Sequence, residues 1–205
     1  MNQTTRTMAL GALAFTLLAG GYAHADPTRA EVKQVLEESF QAKGIVKMSA
    51  LDQDALQQVC TDSGNNPPST LAKALESDQM KTVQYPADGQ LMGDWKRGEK
   101  IAESGKGMTW KDKPGSVNGG SCYNCHQIAP TQPSYGTIGP SLYRFGKTRG
   151  DGVEMQKYVY AKIYNAKAFN LCSAMPRFGY AQALTEQQIK DLVALLLSPD
   201  SPNNR

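Results

Sequence analysis

Cys122-Tyr123-Asn124-Cys125-His126 places two thiols and an imidazole within five positions, and His126 is the only histidine after residue 25. Three chemistries use such a set. The two cysteines can begin a zinc knuckle, and Cys60 and Cys172 would then have to complete the four ligands. They can form a redox dithiol, which belongs at the start of a helix in a βαβ context. They can also add to the two vinyl groups of a haem, leaving the adjacent imidazole beneath the iron as the proximal ligand. Cys60 and Cys172 lie too far apart in the chain to form a second knuckle, and no βαβ pattern surrounds the motif. The preferred reading is therefore one covalently attached haem c, with zinc and dithiol as the alternatives.

His126 being alone, two histidine ligands from this chain are excluded, and the iron's other face is left to methionine, a rarer group such as lysine, water, or no ligand at all. Met48, Met80, Met92, Met108, Met155 and Met175 are the methionines after residue 25. Met155 sits at helical spacing, and methionine ordinarily fills gaps in a core. Met175 differs because "NLCSAMPRFG" (170–179) reads as a loop, and Pro176 stiffens the backbone that presents the sulfur. Met175 is the candidate axial ligand, with core packing as the alternative.

Residues 1–25 carry one positive charge, Arg6, then an uncharged stretch from Met8 to Gly21, then Ala23-His24-Ala25. That is the pattern of a secretory signal peptide cleaved after Ala25, with an uncleaved N-terminal anchor as the alternative. Removing it takes away Arg6 and His24, so 22 Lys+Arg fall to 21 against 19 Asp+Glu. Such a balance leaves no electrostatic footprint for nucleic acid, and no later apolar run approaches the roughly 20 residues of a membrane span. The expected location is the periplasm. In an oxidising compartment Cys60 and Cys172 are expected to pair, tying the first part of the chain to the loop that bears Met175; two free or intermolecular thiols are the alternative.

The elements that must position these groups read as helices. Thr28-Arg-Ala-Glu31 is a capping box opening a helix that carries Val32, Val35, Leu36 and Phe40, with Gly44 as its stop. A second helix is expected near 50–60 and a third from Ser69 or Thr70, after Asn65-Asn66-Pro67-Pro68. Residues 26–90 thus form an N-terminal helical extension, joined at Tyr85-Pro86 to Gly89 to a domain over 91–205. In that domain Asp94 caps a helix through Ser104 with Gly98 at its middle, Asp151-Gly-Val-Glu154 opens one to about Ala168, and Thr185-Glu-Gln-Gln188 opens the last, up to Pro199. A mid-helix glycine costs about 1 kcal/mol relative to alanine, which points to close approach by another backbone. The fold class is all-α.

In this order the segments resemble class I cytochromes c. The matching pieces are Asp94 to Ser104, Cys122 to His126, Ile138-Gly139-Pro140-Ser141-Leu142, Met175-Pro176, and Thr185 to Leu197. The resemblance implies a class I cytochrome c fold around one haem, Cys122 and Cys125 attached to it, His126 and Met175 on the iron, and the Pro140 carbonyl bonded to the free imidazole nitrogen. It also puts Gly98 where the two terminal helices cross. "GGSCYNCHQI", "YGTIGPSLYRFG" and "YNAKAFNLCSAMPRFG" are more narrowly similar to the SoxX family, monohaem subunits of SoxAX cytochromes.

That narrower resemblance implies an electron-transfer subunit of an L-cysteine S-thiosulfotransferase. It would be paired with a SoxA-like cytochrome that holds the reacting site. The complex joins thiosulfate oxidatively to a cysteine of a SoxYZ carrier, and electrons leave to a small cytochrome c. A free-standing monohaem shuttle and a zinc-stabilised structural module are the competing readings. Arg144, Lys147 and Arg177 border the expected haem and are candidates for its propionates or for plain solvated surface; Trp95 and Trp110 are expected to pack in the core or on the haem.

Overall fold

Side-chain caps decide where several of the helices begin in the computed structural model, which describes residues 26–205. The signal-peptide reading of 1–25 lies outside those residues. Thr28 and Glu31 form the expected capping box at the start of α1 (Arg29–Ser39). Asp54 and Gln57 form another, absent from the sequence reading, at the start of α2 (Ala55–Asp62). After Pro68 comes α3 (Ser69–Lys81), and Asp94 accepts from the Lys96 N–H to open α4 (Trp95–Glu103). A short α5 (Phe145–Arg149), α6 (Val153–Tyr164) and α7 (Glu186–Leu197), capped by Thr185 and Gln188, complete the set. No strand occurs among the described residues, only an isolated bridge between Lys43 and Val46.

Three boundaries differ from expectation. α1 stops at Ser39, because Phe40 turns extended; Gly44 instead supplies the positive φ, 57°, of the turn that the Lys43–Val46 bridge closes. Leu51 falls in a separate 3-10 turn, Met48–Leu51, not in the second helix. α6 ends at Tyr164, short of Ala168, because Asn165 leaves helical geometry. The Asn165 Nδ2 donates to Gln79 Oε1 and Thr82 Oγ1 of the extension, both at 3.0 Å, and its Oδ1 caps the 3-10 turn Ala166–Ala168. A side chain that satisfies local and tertiary partners in this way competes with continuation of the helix.

The core is organised by α4 and α7. Gly98 rests on α7 so closely that an added Cβ would overlap the Asp191 carbonyl oxygen and lie 2.7 Å from its carbon. Ala102, Ile189, Val193 and Leu195 are fully buried around this crossing, and α6 adds Val159, Tyr160 and Ile163 to the same cluster.

One carboxylate is buried at the contact. Asp191 accepts from the Asp94 N–H at 2.8 Å, from Arg97 Nε at 2.8 Å and Nη2 at 2.9 Å, and from Gln187 Nε2 at 2.9 Å. Burial alone would raise its pKa; these donors outweigh burial and hold the carboxyl below its ordinary value.

Beyond α7 the polar tail folds back onto the helix. Ser201 Oγ donates to the Leu195 carbonyl at 2.5 Å, and Asn203 and Asn204 Nδ2 both donate to that of Leu196, at 3.1 and 3.0 Å. These bonds satisfy carbonyls that a helix C-terminus leaves open.

Gly98→Ala is expected to destabilise the protein by about 3 kcal/mol, at or above the upper end for overpacking because the obstacle is backbone; urea unfolding measures it. Asp191→Asn should also lower stability at neutral pH. The wild-type carboxyl titrates lower when folded, so its contribution is complete above the unfolded pKa and is lost as pH falls through the folded one. Urea midpoints of the two proteins should therefore converge on acidification.

Candidate haem-attachment site

The Cys122–Asn124 segment is a 3-10 turn entered through Ser121 at φ 48°. The Cys122 carbonyl accepts from both the Cys125 and the His126 N–H, at 3.1 and 2.9 Å, which gathers the motif into one tight turn. The turn hangs from the end of α4: Gly120 N–H donates to the Ile101 carbonyl at 2.8 Å and Ser121 N–H to that of Ser104 at 2.9 Å.

Segment 136–142 then laces alongside. Gly136 N–H donates to the Tyr123 carbonyl, Gly139 N–H to Cys125 and Leu142 N–H to Gln127, at 2.8, 2.9 and 2.8 Å. This register brings the Pro140 carbonyl 2.7 Å from His126 Nδ1. A carbonyl only accepts, so Nδ1 carries a proton in this bond, and in a neutral imidazole that arrangement puts the lone pair that binds a metal on Nε2. Gly139 lies flat against the ring; a Cβ there would come within 2.7 Å of Nε2.

The four cysteines divide into two pairs. Cys60 and Cys172 are joined by a disulfide, while Cys122 and Cys125 are free. The disulfide withdraws two sulfurs from any four-cysteine zinc set, and among the described residues no three His, Cys, Asp or Glu side chains cluster as a metal site. Burial, with a smaller contribution from Cys125, pushes the Cys122 thiol up to about 12, far from the lowered pKa of an attacking redox thiol. A haem c asks for less: two thiols on one turn, one oriented imidazole and one sulfur. The residues present fit those demands.

Met175 reaches the core from the other side of the sequence. It is half-buried and packs, as Cys122 and Leu142 do, against the hydrophobic cluster formed with α4, α6 and α7. Its loop is bound at several points. Lys167 Nζ donates to the Leu171 carbonyl at 2.8 Å, Ser173 Oγ accepts from the Met175 N–H at 3.2 Å, and the Gly179 and Tyr180 N–H groups donate to the Tyr164 carbonyl at 3.0 and 3.1 Å.

The extension holds the same loop, through the expected disulfide and through Glu76 and Asp54, which the sequence did not single out. Glu76 Oε1 accepts from the Leu171 N–H at 2.9 Å, the disulfide fixes Cys172, and Asp54 forms an ion pair with Arg177. Met175 is thus bracketed by three contacts to residues 54–76. The Asp54 capping box was readable locally, whereas its partner 123 positions later was not.

Other candidates fall elsewhere. Arg144 precedes α5 at φ 58° and bonds through its backbone to Asn203, and the Lys147 N–H donates to Asn204 Oδ1. Trp95 begins α4, half-buried. Trp110 does not pack in the core: its ring lies on an exposed loop beneath Lys43 Nζ, 3.7 Å from the centroid. Gly44 packs so tightly on the Trp110 backbone that a Cβ would overlap its carbonyl.

Among the described residues, fold and site together define a mostly helical protein in which a disulfide-clamped loop and a Cys-x-x-Cys-His turn both pack against one hydrophobic core. No family model matches the chain. It is 37% identical over 179 residues, 86% of this chain and 84% of the other, to a protein of Aquifex aeolicus (strain VF5) described as an uncharacterized lipoprotein, and it belongs to that protein's family.

Replacing Cys60 and Cys172 together by alanine should lower stability by about 4–5 kcal/mol on the chain-entropy model for a loop of 112 residues. Urea unfolding of the variant against oxidised wild type measures the difference, and reductant should lower the wild-type midpoint while leaving that of the variant in place.

Proposed function

We propose that this chain is an exported haem c protein that carries electrons, as the monohaem SoxX-type subunit of a SoxAX-type thiosulfate-oxidising complex. The observation that carries the haem reading is the oriented imidazole. His126 sits in the same turn as two free thiols, with Nδ1 bound to a carbonyl and Nε2 free. Cys122 and Cys125 would hold the group covalently, and His126 and Met175 would bind its iron. When bound, haem supplies one-electron iron chemistry, and histidine–methionine ligation favours electron transfer over substrate activation.

The chain's own residues do the positioning. The Pro140 carbonyl fixes the orientation of the His126 ring. Glu76, the Cys60–Cys172 disulfide and Asp54 hold the Met175 loop against departure, and the buried faces of α4, α6 and α7 exclude water from the common core. No second histidine follows residue 25 to act as acid or base, which suits a subunit whose partner holds the reacting centre.

In the reaction implied by the resemblance, the sulfane sulfur of thiosulfate and a carrier-protein cysteine form a new S–S bond. The thiol loses its proton and two electrons leave. A one-electron subunit takes them singly and hands each to a small cytochrome c.

Export to the periplasm is supported by the leader-like residues 1–25, the disulfide, and the description of the Aquifex relative as a lipoprotein. No described helix is long and apolar enough to cross a membrane. A free-standing shuttle is the second reading, favoured by the way Asp54, Cys60 and Glu76 are spent on their own chain. Against it, the apolar side chains of Val32, Val35 and Phe40 on and beside α1 stay exposed, as a partner-binding extension requires.

Expression in a host with the periplasmic haem-attachment machinery tests the cofactor. The wild type should give one covalent haem per chain in an alkaline pyridine spectrum, and the Cys122→Ser/Cys125→Ser variant none; a haem-free wild type overturns the proposal. Met175→Ala should keep the covalent haem but lose the weak red sulfur-to-iron absorption band. Co-expression with a SoxA-like cytochrome separates the subunit, which co-purifies, from the shuttle, which does not.

A further inference from the structure

Charge in this chain is near balance overall but uneven in space. Lys43, Lys47, Lys106, Lys111 and Lys113 gather where the extension meets the long loop ahead of the Cys122 turn. Lys43 and Lys111 hold their Nζ atoms 3.7 and 5.1 Å from the centroid of the Trp110 ring, Lys47 and Lys113 line one cavity, and Lys106 adjoins Gly107 of that lining. None of the five is in an ion pair among the described residues. The acid in the lining is Asp112, whose Oδ2 is occupied by the Thr109 N–H and hydroxyl at 2.8 and 2.7 Å.

The cavity has a volume of about 990 Å³ and lies between the turn at 44–47, the loop at 107–118 and the start of α7. Its walls are held by contacts of their own. A Cβ on Gly44 would overlap the Trp110 carbonyl, Asn118 Nδ2 donates to the Ala183 carbonyl at 2.7 Å, and Gln188 Nε2 donates to that of Asn118 at 2.6 Å. Walls fixed in this way are in place before a partner arrives, which lowers the ordering cost of association. Neither the Cys122–His126 turn nor Pro140 nor Met175 lines the cavity, so this surface is apart from the haem-attachment site.

Met108, Trp110 and Val117 stay exposed among these lysines. An exposed tryptophan and methionine within a charged rim is the make-up of a protein-docking patch. A bilayer would use the same charges, but it is flat, whereas a concave wall that presents Asn118, Gln182 and Gln188 suits a chain that enters it.

We propose that this lysine-rimmed cavity docks an acidic segment of a partner protein, whose carboxylates meet Lys47, Lys113 and their neighbours. The extension then supplies one wall of a recognition surface, and the unpaired lysines steer the encounter at long range. Such docking needs no haem, so it stands or falls apart from the electron-carrier reading.

The test titrates the full-length protein, exported with the haem-attachment machinery, into a fluorescein-labelled decaglutamate peptide and reads anisotropy at low and at physiological salt. Lys47→Ser/Lys113→Ser should weaken binding about fivefold at low salt, the loss expected for two exposed ion pairs, and should flatten the salt dependence. Lys73→Ser/Lys96→Ser removes the same charge from exposed positions on α3 and α4 and should bind as wild type does.

Equal weakening by the two double variants is a response to net charge and overturns the proposal, as does a wild type that does not bind the peptide. Displacement of the peptide by sulfate beyond that by chloride at equal ionic strength makes the cavity a small-anion site and overturns it too. So does co-sedimentation with vesicles of equal parts phosphatidylglycerol and phosphatidylcholine that depends on Lys47 and Lys113 when peptide binding does not. The pyridine spectrum of the same preparation reports the haem separately, so a failure of docking and a failure of the haem reading are told apart.

Discussion

Where α4 meets α7, the side chain is missing: Gly98 lets the backbone of one helix settle on the Asp191 carbonyl of the other. Much of what lies beyond is hung from that contact. The end of α4 offers the Ile101 and Ser104 carbonyls, from which the Cys122–His126 turn is suspended. The end of α7 runs into the tail whose Asn203 and Asn204 hold the backbone of Arg144 and Lys147, and so anchor the far side of the segment that carries Pro140. Asp191 locks the crossing from within, since a buried carboxylate with four donors tolerates little relative sliding.

The candidate ligands are positioned by different kinds of bond. His126 is oriented by a backbone ladder between neighbouring segments, needing only the short glycine-bearing stretch 136–142 to lie in register. Met175 belongs to a loop with few internal bonds, and it is restrained by a disulfide, an ion pair and a carboxylate, all from the extension. A loop with little regular structure opens at small free-energy cost unless tied down. The extension is therefore part of the site's rigidity, and residues 26–90 do more than precede a domain.

Local patterns were legible. The capping boxes at Thr28 and Thr185, the break at Pro67-Pro68 and the glycine at the middle of α4 depend on neighbours within four residues, and each appears where its pattern lies. The departures from expectation, and the features the sequence did not suggest, have a common cause. Asn165 ends α6 early because its amide finds Gln79 and Thr82, and the polar tail folds down because Ser201 and Asn203 find the last carbonyls of α7. Trp110 is drawn outward by Lys43 and Gly44 of the extension. In each case a polar or aromatic side chain is satisfied by a residue that composition could not bring near it.

By itself, the sequence determined the inventory: two thiols and one imidazole at fixed spacing, a single histidine after residue 25, a methionine beside a proline, and the helices between them. These are properties of covalent order and of the i to i+4 hydrogen-bond period, so they are written in the chain. Tertiary structure alone decided which donors are spent and which remain. It spends His126 Nδ1 on Pro140, Cys60 on Cys172 and Asp54 on both a helix cap and Arg177, and among the described residues it leaves Nη1 of Arg177 without a partner. Whether a polar atom is satisfied depends on all of its neighbours in space, and that balance exists only once the chain has closed on itself.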